Sequence, residues 1–137
     1  MKTVLITGGL GFIGAQIAKE MIQDNIVDKA ILLDHYGGFI NPLTDDFQDY
    51  RKYRLEGIED KVVIERGETR NSIIMTKLID KYRPEYIIHT AALPLAKIDN
   101  LNAAEAREGS VDSTATILEI INYFKLKDGY CPSRFTY

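Results

Sequence analysis

A β-strand that is apolar at every position has no face to offer water, so it must be covered on both sides, as in a parallel sheet packed between helices. This chain has several such runs. Val4, Leu5 and Ile6 lie uninterrupted between Thr3 and Thr7, and "AILLD" (30–34), "KVVIE" (61–65) and "YIIHT" (86–90) repeat the pattern; "RFTY" (134–137) reads as the opening of a fifth strand. Between them the apolar residues recur at helical spacing. Gly14, Ile17, Ala18, Met21 and Ile22 fall on one helical face, with Asp24 and Asn25 at its exit. A cap at Asp45 or Asp46 predicts a helix to about Gly57, after a polar, glycine-bearing loop, "HYGGFINPLTDD". Asn71 or Ser72 caps a run through Ile73, Ile74, Lys77 and Leu78 to Tyr82, closed by Pro84. Helical patterns also cover Leu101–Glu108 and Val111–Phe124. Alternating strands and helices in a chain of 137 residues predict one α/β domain with a parallel sheet.

The turn after the first strand narrows this further. "TVLITGGLGFIG" (3–14) leaves a buried strand, passes Gly8, Gly9, Gly11 and Gly14, and enters a helix. A first glycine allows a tight turn, Gly11 lets backbone approach a pyrophosphate, and Gly14 lets the helix pack on the sheet. The helix start offers unpaired N–H groups and a partial positive charge to phosphates. Asp34 ends the second strand, where a carboxylate accepts hydrogen bonds from ribose hydroxyls and repels a 2′-phosphate. The residues after it are His35 and Tyr36, not arginine, which favours NAD over NADP. The expected fold is therefore a Rossmann-type doubly wound parallel sheet in the order 3-2-1-4-5, truncated after about five strands.

Composition excludes other classes. Net charge is −3, from 17 basic and 20 acidic residues, without a long basic run, which argues against nucleic acid and anionic membrane as partners. Cys131 is the only cysteine, so no internal disulfide forms, and nothing beside it marks a reactive thiol. The start "MKTVLITGG" lacks a signal-peptide core, and no apolar run reaches the ~20 residues of a membrane span, so a cytoplasmic location is expected. His35, His89 and Cys131 show no metal-ligand spacing, and no metal is expected. His89, in an apolar strand, reads as a hydrogen-bonded core histidine, and His35 as a solvent-facing one.

"TGGLGFIG" (7–14) closely matches the Thr-Gly-x-x-Gly-x-x-Gly opening of the extended short-chain dehydrogenase/reductases of the sugar-nucleotide epimerase/dehydratase type. The chain resembles the N-terminal part of that family along its whole length. In the family register the glycines are Gly8, Gly11 and Gly14. "ERGETRN" resembles the family's Gly-Asp-x-Arg-Asp segment, with Glu68 in place of the acid that contacts the adenine amino group and Thr69 beside it. "YIIHTAA" resembles "VIHLAA", whose backbone (here Thr90, Ala91 and Ala92) passes the pyrophosphate and nicotinamide ribose. "SVDSTATILE" resembles "NVxGTxNLLE", with Ser110 for the asparagine and Ser113 for a glycine. The resemblance implies NAD as cofactor, held by Gly8, Gly11, Phe12, Ile13, Gly14, Asp34, Glu68, Thr69, Thr90, Ala91 and Ala92. It also implies a sugar nucleotide as substrate and transient hydride transfer from a sugar hydroxyl to NAD, with residues 1–137 forming an incomplete NAD-binding domain.

The family's chemistry uses a Tyr-x-x-x-Lys helix and a serine or threonine after the fifth strand. Those positions, and the substrate domain, would fall beyond Tyr137, so no catalytic residue is assigned. The chain is expected to bind NAD without turnover and to self-associate through an uncovered sheet edge. Tyr123 and Lys127 fit Tyr-x-x-x-Lys literally, but they precede the fifth strand and read as a partly buried aromatic and a solvated lysine. Two other readings stay open: an NADP-dependent carbonyl reductase of the same superfamily, and a non-catalytic nucleotide-binding or partner module.

Overall fold

The computed structural model describes residues 1–36, 47–92 and 103–137. Among the described residues five strands, β1 (Thr3–Thr7), β2 (Lys29–Asp34), β3 (Val62–Arg66), β4 (Tyr86–His89) and β5 (Arg134–Thr136), form one sheet in the order β3-β2-β1-β4-β5. Every neighbouring pair is parallel. This is the Rossmann-type doubly wound order. Its direction of winding reverses between β1 and β4, and a crevice opens there at the carboxyl ends of the strands.

Side chains that alternate across the sheet build one core on each face. Val4, Ile6, Ala30 and Leu32 pack on Ala15, Ala18 and Ile22 of helix α1 (Phe12–Gln23), with Leu55 and Ile58 beside them. Leu5, Ile31, Leu33 and Ile87 point the other way. They meet Met75, Leu78 and Ile79 of α3 (Ser72–Tyr82) and Ile117, Ile121 and Phe124 of α5 (Ser113–Asp128). Burying each Leu or Ile contributes about 1.5–3 kcal/mol. β1 is buried at all five positions, as a central strand flanked by two others must be.

Local chemistry sets the helix ends. Asn71 Oδ1 accepts the N–H groups of Ile73 and Ile74 at 3.1 Å, so of the two caps the sequence offered, Asn71 starts α3 and Ser72 is its first helical residue. α5 stops at Gly129, whose φ of 79° is left-handed. The Arg83 guanidinium lies 4.4 Å from the Phe124 ring centre and is paired with Asp80 and Asp128, joining the ends of α3 and α5.

Two predicted elements differ. The helix expected from Asp45 or Asp46 to Gly57 is only α2 (Arg51–Arg54); the proposed caps lie outside the described residues. Asp49 accepts the Arg51 N–H at 3.0 Å in a local turn, Tyr50 at the N-cap makes no side-chain capping bond, and a 3-10 turn at Glu59–Lys61 leads into β3. The two helices read as Leu101–Glu108 and Val111–Phe124 are joined. α4 (Ala103–Arg107) continues through a π-helical turn, Glu108–Asp112, into α5, which runs past Phe124 to Asp128; Leu101 lies outside the described residues. No helix among the described residues is long and apolar enough to cross a membrane.

Candidate functional site

The turn between β1 and α1 lies against the end of β4. Gly8 has a φ of +66°, and a Cβ there would stand 2.9 Å from the Ala91 nitrogen and 3.1 Å from the Thr90 carbonyl carbon. Only glycine combines that backbone conformation with that approach. Gly14 is pressed as closely on its other side, where a Cβ would meet the Gly8 carbonyl oxygen and lie 2.9 Å from Gly9 Cα. α1 therefore starts directly over the sheet.

Gly11 caps α1 without a side chain, and no acidic residue stands in the first turn. The leading N–H groups thus have no side-chain partner, which leaves them receptive to an anion. Phe12 and Ile13 turn their side chains to solvent, 81% and 64% exposed, so what they bring to the turn is backbone.

Asp34 faces this turn. Its Oδ2 accepts the Leu10 N–H at 3.2 Å and its Oδ1 accepts the Tyr36 N–H at 2.9 Å. Arg54 closes the other side, donating from Nη1 to the Leu10 carbonyl at 2.6 Å. The expectation that no arginine borders Asp34 holds along the chain but not across the sheet. Arg66 is the register partner of Asp34 on β3, and the Arg66 and Arg51 guanidiniums lie 5.5 and 5.6 Å from the Tyr36 ring centre. Local sequence missed these arginines because strand pairing and a helix 17 residues later bring them in.

Beside the turn lies a cavity of about 310 Å³ lined by His35, Glu68, Thr69, Arg70, Ala91, Ala92, Glu105, Glu108 and Gly109. Four expected contact residues, Glu68, Thr69, Ala91 and Ala92, meet here. Arg70, Glu105, Glu108 and Gly109 were not anticipated, although Arg70 lies inside the "ERGETRN" motif. Arg70 Nε donates to Glu68 Oε2 at 2.7 Å, and its Nη1 pairs with Glu108 of the π-helical turn. The Glu68 carboxylate, then Glu108, holds the guanidinium above its ordinary pKa. His35 is exposed, as expected, and stands on the cavity rim.

His89 is a buried, hydrogen-bonded core histidine, as its strand position predicted. Its Nδ1 contacts Thr7 Oγ1 at 2.6 Å and its Nε2 contacts Ser113 Oγ at 3.1 Å; burial lowers its pKa. Thr90 Oγ1 donates to the Thr7 carbonyl at 2.6 Å, fixing the segment that follows β4. Tyr123 is 52% exposed rather than partly buried, with the Lys127 ammonium 5.6 Å from its ring centre. α5 begins beside His89 and runs away from it, so Tyr123, ten residues on, lies about 15 Å down the helix from the cleft. The structure does not bring this pair to the site.

Comparison with known proteins finds relatives in both sequence and fold. Over 93 residues the chain is 33% identical to dTDP-glucose 4,6-dehydratase of Neisseria gonorrhoeae, covering 66% of this chain and 24% of that protein. It is 27% identical over 121 residues to the dTDP-glucose 4,6-dehydratase of Neisseria meningitidis, covering 87% of this chain and 31% of the relative. The chain thus spans a quarter to a third of the curated relatives it matches. The fold is shared with UDP-glucose 4-epimerase from Bifidobacterium longum in complex with NAD+ and UDP, at a TM-score of 0.71 and 24% identity over 89% of this chain and 34% of that one. It is shared also with the Bordetella bronchiseptica enzyme WbmH in complex with NAD+, at a TM-score of 0.67 and 22% identity, covering the whole of this chain and 38% of that one. The profile of the family described as "Polysaccharide biosynthesis protein" matches residues 4–129, and the chain belongs to that family.

Proposed function

We propose that this chain is the NAD-binding portion of a sugar-nucleotide epimerase or dehydratase. One observation carries the reading: the start of α1 has no side-chain cap, and the acid that ends β2 holds the glycine turn beside it. The first amides of α1, at Phe12 and Ile13 after Gly11, hold the pyrophosphate in this reading, and Gly8 and Gly14 keep the backbone close enough to do so. Each Asp34 oxygen accepts one amide and retains a lone pair for a ribose hydroxyl. Glu68 and Thr69 face the adenine, and Thr90, Ala91 and Ala92 form the wall toward the nicotinamide ribose. Bound NAD supplies a hydride acceptor at its nicotinamide ring. The relatives named dTDP-glucose 4,6-dehydratase and the neighbours carrying NAD support the assignment. No catalytic group is assigned within residues 1–137. The sugar nucleotide as substrate, a cytoplasmic location and self-association through the outer edge of β5 belong to the same reading.

An NADP-dependent reductase is the second reading, favoured by the guanidiniums of Arg51 and Arg66 around Tyr36. Calorimetric titration of the purified chain with NAD and with NADP separates the two. Tighter binding of NAD is expected; tighter binding of NADP reverses the assignment, and no binding of either at millimolar concentration removes it.

A further inference from the structure

The cofactor contacts proposed above leave the side chain of His89 unused, yet it is buried between β4 and the start of α5 and bonded on both ring nitrogens. The direction of those bonds is set by the groups at the two ends. The Ala91 amide can only donate, and it reaches Thr7 Oγ1 at 3.3 Å. The Gly109 carbonyl can only accept, and Ser113 Oγ donates to it at 2.9 Å. The Ser113 hydrogen is therefore spent, so the contact between Ser113 Oγ and His89 Nε2 is donated by the ring. Nδ1 of the neutral ring is then a bare acceptor, and the Thr7 hydroxyl donates to it at 2.6 Å. One arrangement of protons satisfies the whole chain from Ala91 to Gly109. The opposite tautomer would place an N–H against Thr7 and require Ser113 to abandon Gly109. Both ends of the chain, Ala91 and Gly109, line the 310 Å³ cavity, one from the segment after β4 and the other from the π-helical turn.

We infer that His89 is a positioning residue: locked as the neutral Nε2–H tautomer by Ser113, it couples the Ala91 backbone to the Gly109 turn, so that two wall segments of the dinucleotide cleft are set as one unit. This rests on the NAD-binding reading. His89 touches no cofactor atom itself; it acts through Thr7 and Ser113.

The test combines imidazole nitrogen NMR with NAD titration of the full chain. The wild type should show a single Nε2–H ring. Ser113→Ala removes only a hydroxyl and should mix the tautomers, move the Ala91 amide resonance, and weaken NAD binding about fivefold to tenfold. His89→Asn keeps an oxygen able to accept from Thr7 but does not reach Ser113, so it should show the same loss of affinity, and the double variant should add nothing further. A role in packing alone would lower the melting temperature of the variants and leave NAD affinity unchanged, which overturns the proposal. So does an Nδ1–H ring in the wild type, or additive losses in the double variant. Absence of NAD binding by a wild type that has the Nε2–H ring, with an Ala91 resonance that responds to Ser113→Ala, overturns the cofactor reading while the coupling of the two wall segments stands.

Discussion

Asp34 accepts the backbone N–H of Leu10 at 3.2 Å, so the acid that ends β2 also braces the glycine turn that leaves β1. A ribose contact and the shape of the phosphate cradle thus depend on one carboxylate. Asp34→Ala should remove both and weaken NAD binding about 10- to 100-fold, the range for lost hydrogen bonds to a charged group. Asp34→Asn keeps one oxygen acceptor and should fall between the two. Isothermal titration reads the series, and equal affinity in all three proteins would count against the role given to Asp34.

Gly8→Ala combines two penalties. The left-handed backbone costs a residue with a Cβ, and that Cβ would lie 2.9 Å from the Ala91 nitrogen. A loss of about 2–4 kcal/mol is expected in urea unfolding, together with loss of NAD binding. Glycine at 129, which has a φ of +79° but open space around it, provides the control. Gly129→Ala should cost about 1 kcal/mol and leave binding unchanged.

Burial lowers the pKa of His89 below its ordinary value of 6.5. The folded chain therefore takes up a proton less readily than the unfolded one, and the slope of stability against pH is positive in that window. The contribution of neutral His89 is present above pH 6.5 and is lost as pH falls below it towards the folded-state value. Urea midpoints measured downward from pH 7 should decline, and they should decline less steeply in His89→Asn, where this titration is absent.

Tyr123→Phe and Lys127→Ala should leave NAD affinity within about twofold and stability within about 0.5 kcal/mol, as expected for exposed positions away from the cleft. A larger loss of affinity in either would return this pair to consideration as part of the site.

What the sequence revealed tracks the range of the forces involved. The strands were legible because a sheet covered on both faces demands apolar runs, and Val4–Ile6 and Ala30–Leu33 meet that demand. Asn71 announced α3 because a cap acts within three residues. α2 was legible only in part: its proposed caps, Asp45 and Asp46, lie outside the described residues, and the helix itself is the four residues Arg51–Arg54, whose start carries no side-chain cap. The turn at Gly8 and the acid at Asp34 were visible as spacing, whereas the bond between Asp34 and Leu10 was not. Arg70 reaches Glu108 across 38 residues, and Arg66 meets Tyr36 through strand register; no pattern along the chain encodes either contact. The link from His89 to Ser113 spans 24 residues and was equally invisible, although the histidine itself was read correctly.

The central position of β1 carries a cost in time. Thr7 meets His89 across 82 residues, so one flank of the middle strand stays unpartnered until β4 has been synthesised and has found it. Closing so long a loop before its contacts stabilise anything is a kinetic burden, and it favours slow refolding with β1 and β2 exposed to aggregation in the interval. Dilution from urea at rising protein concentration would reveal it as a falling yield of native chain, before any change in the cleft is measured.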